Sequence, residues 1–467
     1  MAAEADITPE PRLLFTAPWE PVVVRRGDAL GLRALADQFA EAVAPDLTNR
    51  VRDGRWVTIL AWCLVRSHDV FHASGGRSVA TREEQRSRYA WLRPLELMWV
   101  ARTIALAEDW GDRYLAGQRS VRPWYDYNNQ VPNRFGMSLD QFHSYRQTGM
   151  YGAYRVVFRK WPGMTLGRDG WTPGAATHKM AEWLDERLGL ARPPWPLNIS
   201  DSDERGVSKA SAKLGRGEEC RWWLRLWNTF DRGGRNVDKN TLPRRRDEFD
   251  PLPEFHLLRP LVFGDDHSGK RRLKVAREVA KSRATEHIEV CEYLAHVLGS
   301  DPTIALLPRF SRLADAGIAA MDLVAENLYK GSRVALTELA AHPEAGPTCR
   351  KLMAAAQDWR KITDLRIDHI GTAHQFARAI PKASPIDCLR AILRYHEVYG
   401  GGLRWFVLRN GWVEPRTPPL SHSSRYRFRL WSLCRLAAQS GVLRRMPPAL
   451  RGADEAEENE TSETANE

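Results

Sequence analysis

With 467 residues, 43% of them hydrophobic and 27% charged, the chain has enough apolar material for two or three packed domains, which excludes a wholly disordered protein. The formal charge is +11, but the last fifteen residues, from Ala453, carry seven carboxylates and no Lys or Arg, so residues 1–452 hold +18. A surplus of that sign concerns partners rather than fold, and it favours polyanions: DNA, RNA, an acidic protein or an anionic membrane surface.

The N-terminal MAAEADITPEPR has acidic residues and prolines where a secretory signal needs a basic start and an apolar run. The apolar stretch Trp56 to Val65, bracketed by Arg55 and Arg66, is about half of the roughly 20 residues needed to cross a bilayer. It reads instead as part of a buried helix from Arg55 to Phe71, with Val57, Leu60, Ala61, Leu64 and Phe71 at helical spacing. A second helix is predicted from Pro94 to Ala107, with Leu95, Met98, Trp99 and Leu106 on one face. Between Pro123 and Gly174 the aromatic, Asn- and Gly-rich sequence assigns no fold. The run TPGAATHKMAEWLDERLG then predicts a helix with Thr172 as N-cap, Pro173 at its first position and Gly189 as its stop.

ARPPWP breaks the chain, and a charged segment around CRWWLRLWNTF follows. From Leu273 to Gly400 the pattern is helical, interrupted near Gly299 to Pro308, Gly331, His342 to Pro347 and Pro381 to Pro385. LRWFVL, Asn410-Gly411 and WVEP predict a β-hairpin, since a type I′ turn needs two residues that tolerate positive φ. A closing helix is predicted over Arg425 to Ser440, stopped at Gly441. The expected fold is mainly α and multidomain. It has an N-terminal helical domain (1–195), a Trp-containing connecting region (196–260), a helical domain (261–400), a winged-helix-like hairpin plus basic helix (401–452) and a disordered acidic tail (453–467).

No catalytic constellation emerges. GDDHSGKR, Gly264 to Arg271, reproduces the spacing of a phosphate-binding loop after the strand-like run LLRPLVF, but Arg271 stands where a magnesium-binding hydroxyl belongs, and Asp265 and Asp266 would face the phosphates. A basic loop leading into a helix is the favoured reading. His287 and Cys291 share a helical face, but His296 lies about 180° from His287, so one helix cannot offer all three to a metal. Cys291 reads as core, as does His396, which continues the stripe of Ile386, Leu389 and Leu393. Asp364 and Asp368 share a face that reads as solvated. There is no Asp-x-Lys or Glu-x-Lys, no H-E-x-x-H and no G-x-S-x-G, and no cofactor is implied. The six scattered cysteines, without a C-x-x-C pair, predict a reducing cytoplasm.

The basic signals agree with one another. Arg244 to Arg246 form a run in a loop, and Lys270, Arg271, Arg272, Lys274, Arg277, Lys281 and Arg283 line the start of a predicted helix. In SRYRFRLW, a strand would project Arg425, Arg427 and Arg429 from one face, whereas a helix would set Arg425 and Arg429 along the flank of a Tyr426, Leu430, Leu433 stripe; the continuation LCRLAAQSG favours the helix. The predicted phosphate-binding set is therefore Lys270, Arg271, Arg272, Arg277, Arg425, Arg427 and Arg429.

Three stretches, GLRALADQFAEAVAPDLTNRVRDGRWVTILAWCLVRS, GGGLRWFVLRNGWVEP and SRYRFRLWSLCRLAAQSGVL, resemble bacterial proteins, with no activity attached to them, whose genes lie beside phage-defence or DNA-modification genes. The resemblance implies a bacterial cytoplasm and partners that handle DNA. The expected function is that of a nucleic-acid-associated, non-catalytic subunit of a multi-protein system such as phage defence. The alternatives are a nuclease or nucleotide-dependent enzyme, and a scaffold docking an acidic protein.

Overall fold

The computed structural model describes residues 28–73, individual residues between 92 and 115, and residues 149–167, 170–188, 241–328, 333–363, 367–399, 405–415 and 425–451. The aromatic stretch 123–148, the charged segment 189–240 with its CRWWLRLWNTF run, Asp364 and the acidic tail lie outside these residues.

The architecture is mainly helical. Helix α1 (Arg33–Val43) and α2 (Gly54–Ala73) open it, and α2 is buried on every side from Gly54 to Val65. A helix that is apolar all round belongs in a core, and α2 is packed against α3 (Met150–Lys160) and α4 (Ala175–Leu188). Trp62 meets Trp99 edge to face at 6.1 Å and donates its indole N–H to Asp185 (2.7 Å). Helix α3 falls where the sequence assigned nothing, although Tyr151, Tyr154 and Phe158 recur at helical spacing and are all buried. Its first turn is held by the buried carboxylate of Glu96, which accepts the Tyr151 amide (2.8 Å). Leu106, predicted on the core face of its helix, is 43% exposed. Helix α4 begins at Ala175, not at Pro173. Pro173 bridges to Thr165, and the Gly174 amide bonds Met164, so these residues form a turn instead of a cap.

The second half is a helical array: α5 (Phe255–Val262), α6 (His267–Lys281), α7 (His287–Leu298), α8 (Pro302–Leu328), α9 (Leu336–Ala341), α10 (Ala345–Arg360), α11 (Ile370–Ala379) and α12 (Pro385–Tyr399). LLRPLVF is therefore helical and not strand-like; Pro260 sits within α5. The 27-residue α8 is the axis, with α7, α10, α12 and α1 packed around it. Phe310 on α8 gathers Phe39 (4.7 Å), Tyr426, Phe428 and Trp359 into one aromatic cluster. Gly317 allows the close approach, since a Cβ there would stand 2.7 Å from Leu30 and 2.9 Å from Phe376.

The predicted hairpin is present as β2 (Phe406–Arg409) and β3 (Trp412–Pro415), turning on Asn410 (φ 48°) and Gly411 (φ 79°). A third strand, β1 (Val334–Ala335), pairs antiparallel with β3, giving the order β1-β3-β2. Two residues are too few to register as a strand in sequence. The Glu397 carboxylate accepts the Leu408 amide (3.0 Å) and ties β2 to α12. His396 is the core histidine expected, stacked on Phe406 and 2.7 Å from the Ala29 carbonyl.

The closing helix α13 spans Leu430–Gln439, not Arg425 to Ser440, and it stops at Gly441 (φ 68°) as expected. Phe428 and Arg429 both take positive φ just before it, a strain of about 1–3 kcal/mol each for non-glycine residues. Their tertiary contacts outweigh that strain: Phe428 is buried against Phe39, Phe310 and His287, and Arg429 bonds Glu41 and the Ala44 carbonyl. Every residue of α13 is buried, Arg435 and Gln439 included, and it packs on α5 and α6. The hairpin and helix keep the order of a winged helix, but this helix has no face to lay in a groove.

Candidate nucleic-acid interface

Helix α6 is capped by Asp266, whose side chain accepts the Gly269 amide (3.3 Å). The run with phosphate-loop spacing is thus the first turn of a helix capped by its own carboxylate, in line with the favoured reading, and Asp266 already engages the Gly269 and Lys270 amides. A Cβ at Gly269 would lie 2.4 Å from the Gly264 carbonyl oxygen, so the glycine there serves chain packing.

The predicted cations divide sharply. Arg272 is fully buried. Its Nε donates to the Val262 carbonyl (2.6 Å), its Nη1 to the Pro45 carbonyl (2.7 Å), and its guanidinium lies over Trp161. Burial lowers its pKa, with Asp266, Asp46 and Glu41 opposing. Arg271 bonds the Ala42 carbonyl (2.9 Å) and the Asp301 carboxylate (2.6 Å). Arg429 is spent on Glu41, and Arg427 is half-buried beside His287. Arg271, Arg272 and Arg429 hold α6 and the approach to α13 against α1 and its neighbours, so their guanidiniums are engaged within the fold. The run Arg244 to Arg246 is likewise engaged: Arg244 pairs with Glu248, Arg245 with Asp247, and the Arg246 guanidinium lies over Tyr114.

Lys270, Arg277 and Arg425 are exposed. Lys270 and Arg277 belong to a larger set, because Lys274 and Lys281 are exposed on the same helix. At 100° per residue the four positions fall within about 60° of arc, along roughly 16 Å of helix. Lys281 bonds Glu278 (2.6 Å), a bond that holds the carboxyl below its usual range. Lys270, Lys274 and Arg277 enter no ion pair with a described residue. Lys274 and Lys281 were among the cations noted in sequence but not in the predicted set; the spacing i, i+4, i+7, i+11 was the signal that groups them.

A buried polar cluster escaped the sequence reading. Arg55 and Glu254, both fully buried, form a two-pronged pair (2.8 and 2.9 Å), joined by Thr58 (3.2 Å). Beside them Asp53 accepts from Gln439 (3.0 Å), the Arg55 amide (3.0 Å) and the Arg244 amide (2.7 Å), while Gln439 accepts the Gly54 amide (2.7 Å). Arg435 donates to the carbonyls of Arg245 (2.7 Å) and Arg246 and lies among Tyr114, Trp431 and Phe249. These residues are sealed from solvent and bonded to one another, which is a clamp between α2, α5 and α13.

His287 and Cys291 do share a face, 3.8 Å apart, while His296 is exposed elsewhere on α7. Among the described residues no three metal-donor side chains converge. Burial, with the charge of Arg427 and then Arg425, pushes His287 down to about 3. The unfolded chain therefore binds one more proton between that value and about 6.5, so stability rises with pH across the interval. The His287→Gln variant is expected to lose a slope of up to roughly 1.4 kcal/mol per pH unit from the unfolding free energy measured in urea between about pH 4 and 6. Identical pH profiles for the two proteins would show that His287 is not held neutral.

Compared with protein families, curated proteins and solved structures, the chain matches none.

Proposed function

We propose that the protein binds the phosphate backbone of duplex DNA through the exposed basic face of α6, as a non-catalytic member of a multi-protein bacterial system of the phage-defence kind. The observation that carries this reading is the alignment of Lys270, Lys274, Arg277 and Lys281 on one solvent-facing stripe, three of them without an ion-pair partner among the described residues. A stripe of point charges on a rigid helix neutralises phosphates and displaces counterions, and it makes no contact that distinguishes one base pair from another. The binding is therefore insensitive to sequence, and it steers the assembly to DNA without selecting a site. Arg425, exposed ahead of α13, is a further cation for the same backbone.

The test is a salt titration of binding to a short duplex with the nuclease-treated full chain. Log affinity is expected to fall against log salt with a slope near 0.9 per phosphate engaged, hence about 3 to 4 for the stripe. Arg425→Ala should reduce that slope by about one at most. Absence of measurable binding at about 50 mM salt would reject the proposal. A preference for single-stranded RNA over the duplex would reject its choice of DNA.

A further inference from the structure

A cavity of about 270 Å³ opens between the end of α10 and α11, lined by Arg360, Ile362, Thr363, His374 and Arg378. Among the described residues its polar lining is two guanidiniums, an imidazole and a hydroxyl, with no carboxylate. The nearby Asp358 is taken by Arg309 (3.3 Å) and Lys361 (3.4 Å).

The arginines have different roles. Arg360 donates Nε (3.0 Å) and Nη2 (2.6 Å) to the Ala377 carbonyl and Nη2 again to that of Ile380, which closes the C-terminal end of α11 and fixes the guanidinium plane. Its Nη1 is left over, carrying two of the five donors of the group. Arg378 is exposed and enters no ion pair with a described residue. His374 stands one turn before Arg378 on the same face of α11 and leans on Trp359, ring centroids 5.9 Å apart. A planar fork, a second guanidinium, a hydroxyl and an imidazole around one small cavity suit a group with three or four oxygens and negative charge.

We propose that this cavity binds a phosphate monoester, its oxygens held by Nη1 of Arg360, the Arg378 guanidinium, the Thr363 hydroxyl and the His374 ring. The volume lies just under the roughly 300–1,000 Å³ of small-molecule pockets, which suits one phosphoryl group with a small substituent. This site is separate from the α6 stripe and stands or falls without it. The phosphoryl group has two sources, a free small phosphate ester and the 5′-phosphorylated end of a nucleic-acid strand.

The His374 ring reports occupancy. Burial and the charge of Arg378 hold its pKa below the ordinary histidine value, and an anion between them favours the imidazolium. The full-length chain is titrated by NMR with and without inorganic phosphate at about 20 mM, well above a millimolar Kd. The His374 resonance, assigned through His374→Gln, is expected to titrate about one pH unit higher with phosphate. Arg378→Ala should abolish that shift, and Arg378→Lys should keep part of it; Arg378 is exposed, so unchanged thermal unfolding serves as the folding control. A phosphate-independent titration in the parent protein, or a shift that survives Arg378→Ala, overturns the proposal. A 5′-phosphorylated oligonucleotide that moves His374 when its 5′-hydroxyl twin does not assigns the source to a strand end. Equal behaviour of the two oligonucleotides beside a shift with inorganic phosphate assigns it to a free ester.

Discussion

Glu254→Ala is expected to destabilise the protein by about 3–5 kcal/mol, enough to remove most of the stability of an ordinary domain. Arg55 and Glu254 are both at 0% exposure, and the carboxylate takes both prongs of the guanidinium. Burial pushes the Glu254 carboxyl up, and the adjacent Arg55 opposes it. Alanine at 254 leaves a guanidinium that cannot shed its proton in a site that water does not reach, and it also deprives Thr58 of its acceptor. Replacing both partners, Arg55→Met with Glu254→Leu, removes the charge together with its counter-charge and is expected to be milder than the single change. Urea unfolding followed by circular dichroism gives the comparison. A single variant within about 1 kcal/mol of the parent, or a double variant worse than the single, would show that the clamp is not held by this pair.

The second large effect is on binding. The triple variant Lys270→Ala, Lys274→Ala, Arg277→Ala is expected to lower the salt slope by about 2.7. If the remaining binding energy is unchanged, the parent and variant lines meet near 1 M salt, so at about 0.1 M they stand roughly 500-fold apart. All three side chains are exposed and lack ion pairs with described residues, so thermal unfolding should not move. Arg272→Met provides the opposite pattern: it strips the Val262 and Pro45 carbonyls of their donor and lowers stability, with the salt slope retained once the protein is folded. Fluorescence anisotropy on a labelled duplex measures both. An unchanged slope in the triple variant would remove α6 from the interface.

Much of the helical framework was readable from local signals. The apolar run after Arg55 set α2, the Asn410-Gly411 pair set the hairpin, and Gly441 set the end of α13. The errors cluster where one residue pattern serves two structures. LLRPLVF has the composition of a strand, yet Leu258, Leu261 and Val262 are buried on a helix that accommodates Pro260. Thr172-Pro173 has the chemistry of a helix start, yet the tight Gly163–Gly174 approach draws these residues into a turn. SRYRF alternates like a strand and leads into a helix, and it is neither; positive φ at Phe428 and Arg429 follows from burying the first and tethering the second.

The sequence by itself determined that the chain is mainly helical, where several helices begin and end, and that cations outnumber carboxylates. It determined these because caps, turns and apolar periodicity act within a few residues of one another. Only the tertiary structure decided which cations face solvent. Arg271 and Arg272 are neighbours of Lys270 and look alike in sequence, but the carbonyls they bond, Ala42 and Pro45, lie 229 and 227 residues away. Arg435, read as part of a basic helix, donates its two terminal nitrogens to carbonyls 189 and 190 residues distant. A guanidinium can be buried wherever the fold brings carbonyl oxygens and aromatic faces to it, so the partner and not the arginine decides whether its charge reaches solvent.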